Sequence, residues 1–295
     1  MNGKLTNLVF FVAFCLTTIA QCEPIPARPE GTVSFSKATR SELTDRRFEA
    51  LYFGDSSTMI GEFTIDGPIA STLRPISGQI TKIAVDREYG RVFGRGHHDV
   101  YFMRYNKKPR LIKQDSKLEE MSWLSAITWD AKNERLLAST FAGGGCLYAY
   151  EPDKKKRRWS IVCRPGLAVS AFVHAETEDK LYGVNLNTGD EPITTLYEFN
   201  SWGARIAQRK LSQPIPTDQG YGPTQLVWLD GWLYLIQSQP SPSRGYLIDP
   251  STGVIHKTKV LSPTDSIPSA SDDEPAPIDL APHFLNGRTT GADTK

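Results

Sequence analysis

Read for its apolar positions alone, the chain repeats itself. Apolar or aromatic residues recur at Leu51, Val92, Leu136, Leu181 and Leu233, at spacings of 41, 44, 45 and 52 residues. A second column falls at Phe63, Tyr105, Tyr150, Phe199 and Ile248, at spacings of 42, 45, 49 and 49. Two columns that keep nearly one period mark a supersecondary unit that has been copied. The runs around them are rich in β-branched and aromatic residues and are bounded by Gly, Asp, Asn or Pro, which predicts strands. No stretch keeps an apolar helical period long enough to predict a substantial helix.

The third copy is the clearest. It reads as a strand over Leu124–Trp129, a turn at Asp130–Glu134, a strand over Arg135–Ser139, and then a hairpin from Cys146 to Cys163. The second, fourth and fifth copies follow the same four-strand order. The first shows Ala50–Phe53, Met59–Ile65 and Ile69–Leu73 and lacks an evident innermost strand; Thr32–Ser36 or Ile278–Leu280 can fill it by closing the ring. A period of this size in an all-β sequence predicts a β-propeller of five four-stranded antiparallel blades, with six allowed and seven leaving too few residues per blade.

Folding Cys146–Cys163 about its lysine-rich tip places Tyr150 opposite Trp159, Tyr148 opposite Ile161 and Cys146 opposite Cys163, all on one face. Opposed strand residues are close enough for a disulfide, so a Cys146–Cys163 bond is predicted, stabilising by about 3 kcal/mol.

The ends of the chain differ from its middle. Lys4 precedes the apolar run Leu8–Ala20, which is too short to span a bilayer but suits a secretory signal. The expected division is a signal peptide over 1–22, an N-terminal extension over 23–45, the propeller over 46–262, and a Pro/Ser/Asp-rich, mostly disordered tail over 263–295. Cleavage is expected after Ala20 or Cys22. Lipid anchoring at Cys22 is disfavoured because Gln21 is a poor residue to precede a lipidated cysteine. The expected mature protein is secreted or periplasmic, monomeric, and without a transmembrane segment.

Charge narrows the partners. With 34 Lys and Arg against 33 Asp and Glu, the chain lacks the basic excess of a nucleic-acid binder. The cysteines show no CxxC or other close metal-ligand pairing.

Three segments resemble known repeats. Gly245–Ile255, with Asp249-Pro250-Ser251-Thr252-Gly253 between two strands, resembles the hairpin of YVTN-type and quinoprotein-type propellers. Ile83–Phe93 and Ile127–Leu137 resemble the inner hairpins of NHL and gluconolactonase-like propellers. The resemblance covers about residues 48–262 and implies architecture rather than activity, since this fold serves lactonases, redox enzymes and binding platforms alike. Within these motifs Asp86 and Asp130 are read as turn caps. The early metal-site glutamate of gluconolactonase-like enzymes has no match here.

Candidate chemistry is sparse. Asp55, Gly96, Thr140, Asn185 and Gln237 align at the ends of the second strands, and four of the five carry polar side chains. Around a channel mouth, Asp55, Thr140, Asn185 and Gln237 would form a ligand ring, or hold a hard cation such as Ca²⁺. His174 closes an inner strand and would face the channel. His97-His98-Asp99, Asp190-Glu191, the basic tip Lys154–Arg158 and Ala142–Gly145 read as exposed loops, and the six tryptophans mostly as core, with Trp202 in a loop. No Ser-His-Asp, paired-carboxylate, HExxH or cofactor motif stands in recognisable context. The sequence therefore predicts an exported, non-catalytic binding module for a protein, glycan or small-molecule ligand. A metal-dependent lactonase-like hydrolase at the channel mouth is the alternative.

Overall fold

The computed structural model describes residues 37–53, 58–76, 80–96, 99–104, 107–112, 124–140, 145–153, 159–163, 166–185, 191–217, 224–237 and 242–261. The expected signal peptide, the segment Thr32–Ser36, the tail over 263–295, Asp55, His97-His98, Lys154–Arg158 and Asp190 lie outside them.

Five antiparallel sheets of four strands radiate from one axis, and the chain is a five-bladed β-propeller. Blade one holds β1 (Phe48–Phe53), β2 (Thr58–Thr64), β3 (Gly67–Pro68) and β4 (Arg74–Ile76). Blade two holds β5 (Lys82–Asp86), β6 (Arg91–Arg95), β7 (Val100–Arg104) and β8 (Lys107–Ile112). Blade three holds β9 (Leu124–Asp130), β10 (Arg135–Thr140), β11 (Leu147–Tyr150) and β12 (Trp159–Cys163). Blade four holds β13 (Val169–Ala175), β14 (Lys180–Asn185), β15 (Ile193–Asn200) and β16 (Arg205–Ile215). Blade five holds β17 (Thr224–Leu229), β18 (Trp232–Gln237), β19 (Arg244–Ile248) and β20 (Ile255–Val260). The described helix is a short one, α1 (Arg40–Thr44), beside a 3₁₀ turn at Ala70–Thr72.

Packing explains why the inner strands read as continuous apolar runs. Each blade is covered on both faces by its neighbours, so β9, β10 and β13 are buried at every position. The outermost β16 and β20 instead keep exposed residues along their length. Apolar clusters fill the gaps between successive blades; one joins Phe93 and Val100 of blade two to Trp129, Leu136 and Tyr148 of blade three. Phe93 stacks on Trp129 with ring centres 5.4 Å apart.

In blades three, four and five the two repeat columns are cross-strand partners, whereas in blade two Val92 pairs with Met103. Leu136 pairs with Tyr150, Leu181 with Phe199, and Leu233 with Ile248. In blade one the pair at Phe63 is Phe48 rather than Leu51, because Leu51 pairs with Ile60.

The predicted disulfide is corrected by a β-bulge. Tyr150 faces Trp159 and Tyr148 faces Ile161 as expected, but the register then shifts and Cys163 pairs with Leu147. The bulge absorbs Val162 and turns Cys163 to the other side of the sheet. Cys146 joins the apolar cluster shared with blade two, while Cys163 joins the one shared with blade four, its sulfur against Gly203. No disulfide joins them.

Candidate functional site

Four inner strands, β5, β9, β13 and β17, run side by side down the axis. The end at which they begin is called upper here, and the end at which they turn into the second strands is called lower. At the lower end Asp86 accepts from the Tyr89 amide (3.4 Å) and Asp130 from the Asn133 amide (3.1 Å), so both cap their turns as predicted. Each also holds the arginine five residues on: Asp86 with Arg91 Nε at 2.5 Å, and Asp130 with Arg135 Nε at 2.7 Å, all four residues buried.

Blade one is built differently. Its first described strand, β1, runs upward, opposite to the four inner strands. Glu49, near its start, meets Arg87 of the lower turn of blade two at 3.1 Å. Leu51, further along, meets Gln225 near the upper start of β17. Phe48 and Ala50 pack with Trp232 and Tyr234 of the second strand of blade five, so β1 stands at second-strand depth. The strands β3 and β4 then share the far edge of β2, and the described blade is three strands deep.

The channel-side edge of β1 is met by side chains. Gln225 copies a strand: its Oε1 accepts from the Leu51 amide (3.2 Å) and its Nε2 donates to the Leu51 carbonyl (3.3 Å). At the lower end Arg87 donates to the Arg47 carbonyl at 3.1 Å. Because residues of one parity point the same way along an antiparallel edge, Glu49 and Phe53 present their backbone groups beside Leu51.

Between this edge and the four inner strands lies a cavity of about 410 Å³. Lys82 closes it above. The lysine is 5 % exposed, and its ammonium donates to the carbonyls of Ser170 in blade four and Thr224 in blade five, the latter at 2.9 Å. Burial, and secondarily the charge of Arg95, push it well below the ordinary lysine range. Arg95 is itself buried and is pushed down to about 10 by burial. It donates to the Thr81 hydroxyl (2.8 Å) and to the Leu124 carbonyl, and its Nε meets no acceptor. Among the described residues no carboxylate pairs with either cation. The lower mouth is acidic by contrast, with Glu88, Glu176 and Asp230 among its lining residues.

Of the sequence-predicted ligands that are described, His174 is among the residues lining this cavity, and Thr140, Asn185 and Gln237 are not. Thr140 accepts from the Cys146 amide at 3.1 Å and serves its own hairpin. Asn185 accepts from the amides of Thr194 and Thr195, both at 2.9 Å, and staples two strands of blade four. Gln237 donates to the Pro216 carbonyl. Gly96 donates its amide to the Asp99 carbonyl at 2.7 Å. Among the described residues no three of His, Cys, Asp and Glu converge as metal ligands would.

His174 sits at the lower end of β13 but its ring does not face open channel. It is enclosed between blades three and four, with Nδ1 3.7 Å from Asp130 and Nε2 3.6 Å from Asp179. Neither nitrogen makes a hydrogen bond.

The residues that shape the cavity were missed. A lysine inside the apolar run Ile80–Val85 was a readable signal, since lysine is rarely buried. The pairing of Asp86 with Arg91 and of Asp130 with Arg135 was readable too, as one spacing repeated in two blades. Gln225 carried no such signal, because its partner lies 174 residues away.

No protein-family model matches the chain, and no curated protein does. Among solved structures it is similar to a chain of a nidogen/laminin complex at 11 % identity and a TM-score of 0.47, covering 73 % of this chain and 76 % of that one. It is also similar to a hydrazine synthase of Kuenenia stuttgartiensis (10 % identity, TM-score 0.38, 61 % and 48 % covered). A third is AztD of Citrobacter koseri (11 % identity, TM-score 0.38, 73 % and 59 % covered). The chain thus spans about half of the hydrazine synthase chain and less than two thirds of AztD. At these identities the likeness concerns the fold alone.

Proposed function

We propose that this chain is an exported, non-catalytic binding module that receives an extended polypeptide along its central cavity. The observation that carries the reading is the channel-side edge of β1, where a side-chain amide, Gln225, meets backbone groups that a strand would otherwise meet. A strand edge beside a cavity suits strand addition, in which main-chain bonds supply affinity and flanking pockets supply selectivity. Lys82 above and the acidic mouth below give the cavity a polarity that would fix the direction of a peptide. The apolar run Leu8–Ala20 supports export.

A display library of extended peptides tests this. Binders should carry alternating apolar residues, lose affinity when a central residue is replaced by proline, and slow hydrogen exchange at the Glu49 and Phe53 amides. Peptides that bind elsewhere and leave those amides unchanged, or a library without binders, would overturn the reading.

A further inference from the structure

We infer that Lys82 and Arg95 form a binding site for an oxyanion, a carboxylate or phosphate group, at the upper end of the axis. The site stands apart from the β1 edge and does not depend on strand addition.

The register places the two cations together. Lys82 of β5 is the direct partner of Arg95 of β6, and directly opposed residues of an antiparallel pair carry their side chains on one face of the sheet. Both are buried, Lys82 at 5 % and Arg95 at 9 % exposure. Like charges in that relation repel each other, and burial adds the desolvation of each.

Their surroundings do not answer the charge. Lys82 donates to the carbonyls of Ser170 and Thr224, and Arg95 to the Leu124 carbonyl and the Thr81 hydroxyl. All four acceptors are neutral. An ammonium carries three N–H donors, so Lys82 keeps one beyond its two bonds, and Arg95 Nε has no acceptor. The charged neighbour that acts on Lys82 is Arg95, which opposes it.

A tie between strands needs donors but no charge. Gln225 shows this with its neutral amide, which serves both backbone groups of Leu51. Two buried cations in place of two amides lower stability and leave donors over. Perturbed charges of this kind gather at functional sites. An oxyanion supplies what is missing, since its oxygens accept from ammonium and guanidinium alike and charge-assisted bonds are the stronger kind.

The cavity suits the rest of such a ligand. Lys82 is among its lining residues, and the neighbouring inner strands add Ala126, Ala171 and Leu226 to the wall. An apolar wall leaves the attraction less screened than in water. Glu88, Glu176 and Asp230 line the opposite, lower end, so a negative group is favoured above and disfavoured below. A polypeptide carries such a group at its C-terminus, and a small organic acid carries it at its head.

Thermal melting and calorimetric titration test this at an ionic strength held constant with sodium chloride. The probes are acetate, inorganic phosphate, and a short peptide with a free or an amidated C-terminus. Acetate or phosphate should raise the melting temperature beyond the chloride control. Lys82→Met should weaken binding on the order of a hundredfold, and Arg95→Gln on the order of tenfold. Where a variant does not fold, acylation of the Lys82 amine in the parent chain decides: the anion should slow it there and leave the exposed Lys210 unchanged. A preference for the free over the amidated peptide names a chain end as the source, and acetate or phosphate binding without that preference names a small anion. Equal shifts in the parent and Lys82→Met, or no shift beyond chloride with any probe, would overturn the inference. Hydrogen exchange at Glu49 and Phe53 tests the proposed function separately.

Discussion

The ammonium of Lys82 lies 2.9 Å from the carbonyl oxygen of Thr224, which ties the inner strand of blade two directly to that of blade five. The bond passes the place where blade one would contribute to the axis. It also puts a cation where few polar groups can answer it.

A pH dependence follows. Burial lowers the Lys82 pKa in the folded chain, with Arg95 adding to the effect, so folding favours the neutral amine. Relative to a Lys82→Met reference, the wild-type chain should therefore gain stability as pH rises through the folded pKa toward the ordinary lysine value of 10.5, and gain nothing more above it. Melting temperatures of the two proteins across that range measure the difference. A difference that is flat with pH would mean the lysine is not desolvated.

The turn aspartates should not be equivalent. Among the described residues Asp130→Ala leaves the buried Arg135 with no carboxylate, only the Ser201 carbonyl at 3.0 Å and the Trp202 ring at 5.5 Å, and a loss of about 3–5 kcal/mol is expected for a broken buried pair. Asp86→Ala should cost clearly less, because Arg91 keeps Asp153 at 2.5 Å. Urea unfolding of the two variants gives the ranking directly.

Closure between blades five and one can be probed at Gly245. A Cβ there would sit 1.8 Å from the Tyr234 hydroxyl oxygen, which donates to the Ile65 carbonyl of blade one at 3.0 Å. Gly245→Ala should destabilise by about 1–3 kcal/mol through overpacking. Tyr234→Phe, which loses only the hydrogen bond, should cost about 1 kcal/mol. Denaturant titration separates these, and equal losses would show that Gly245→Ala acts by displacing the hydroxyl from its bond rather than by overpacking the ring.

Acid should loosen the ion pair of Lys37 with Asp249. Burial raises the Asp249 carboxyl, but hydrogen bonds from Lys37 and from the Ser251 hydroxyl and amide outweigh it and hold the group at about 2. The ionised form is favoured by folding, so its contribution is complete above the ordinary value of 3.8 and is lost as pH falls from there through about 2. For a pair open to solvent that contribution is about 0.2–1 kcal/mol. An Asp249→Asn variant should be less stable than the parent at pH 6 and match it near pH 2.

Much of the architecture was legible because blades are local. The columns through Leu136 and Tyr150, Leu181 and Phe199, and Leu233 and Ile248 are the two sides of single cross-strand pairs, and short-range patterning records such pairs faithfully. That Cys163 pairs with Leu147 rather than Cys146 was not legible, because one bulged residue, Val162, reverses which side of a strand faces which neighbour. Apolar residues on both faces of blade three hide that reversal, since either orientation meets a core. The described members of the predicted polar ring carry a local role that the alignment did not record. Thr140 and Asn185 end their strands as aligned, but a residue at that place is needed to satisfy backbone amides in its own blade. The cavity was the least legible feature, since it depends on contacts such as Gln225 with Leu51 that no local pattern encodes.

The described strands of every blade come from one continuous stretch of chain, so among the described residues no strand is exchanged between the first blade and the last. Among the described residues the strands on either side of the seam are linked through side chains, Gln225 to Leu51, Tyr234 to Ile65, and Lys257 and Lys259 to Asp66, across separations of 169 to 193 residues. The ring is in this respect a string of five locally built units, clasped at the seam and cross-tied at the axis by Lys82. Its assembly is mostly local, and the encounter of longest sequence separation, between the first blade and the last, is expected to come late, after the units it joins have formed. Opening is expected to run the other way, with the clasp parting before the blades themselves under denaturant or mechanical load.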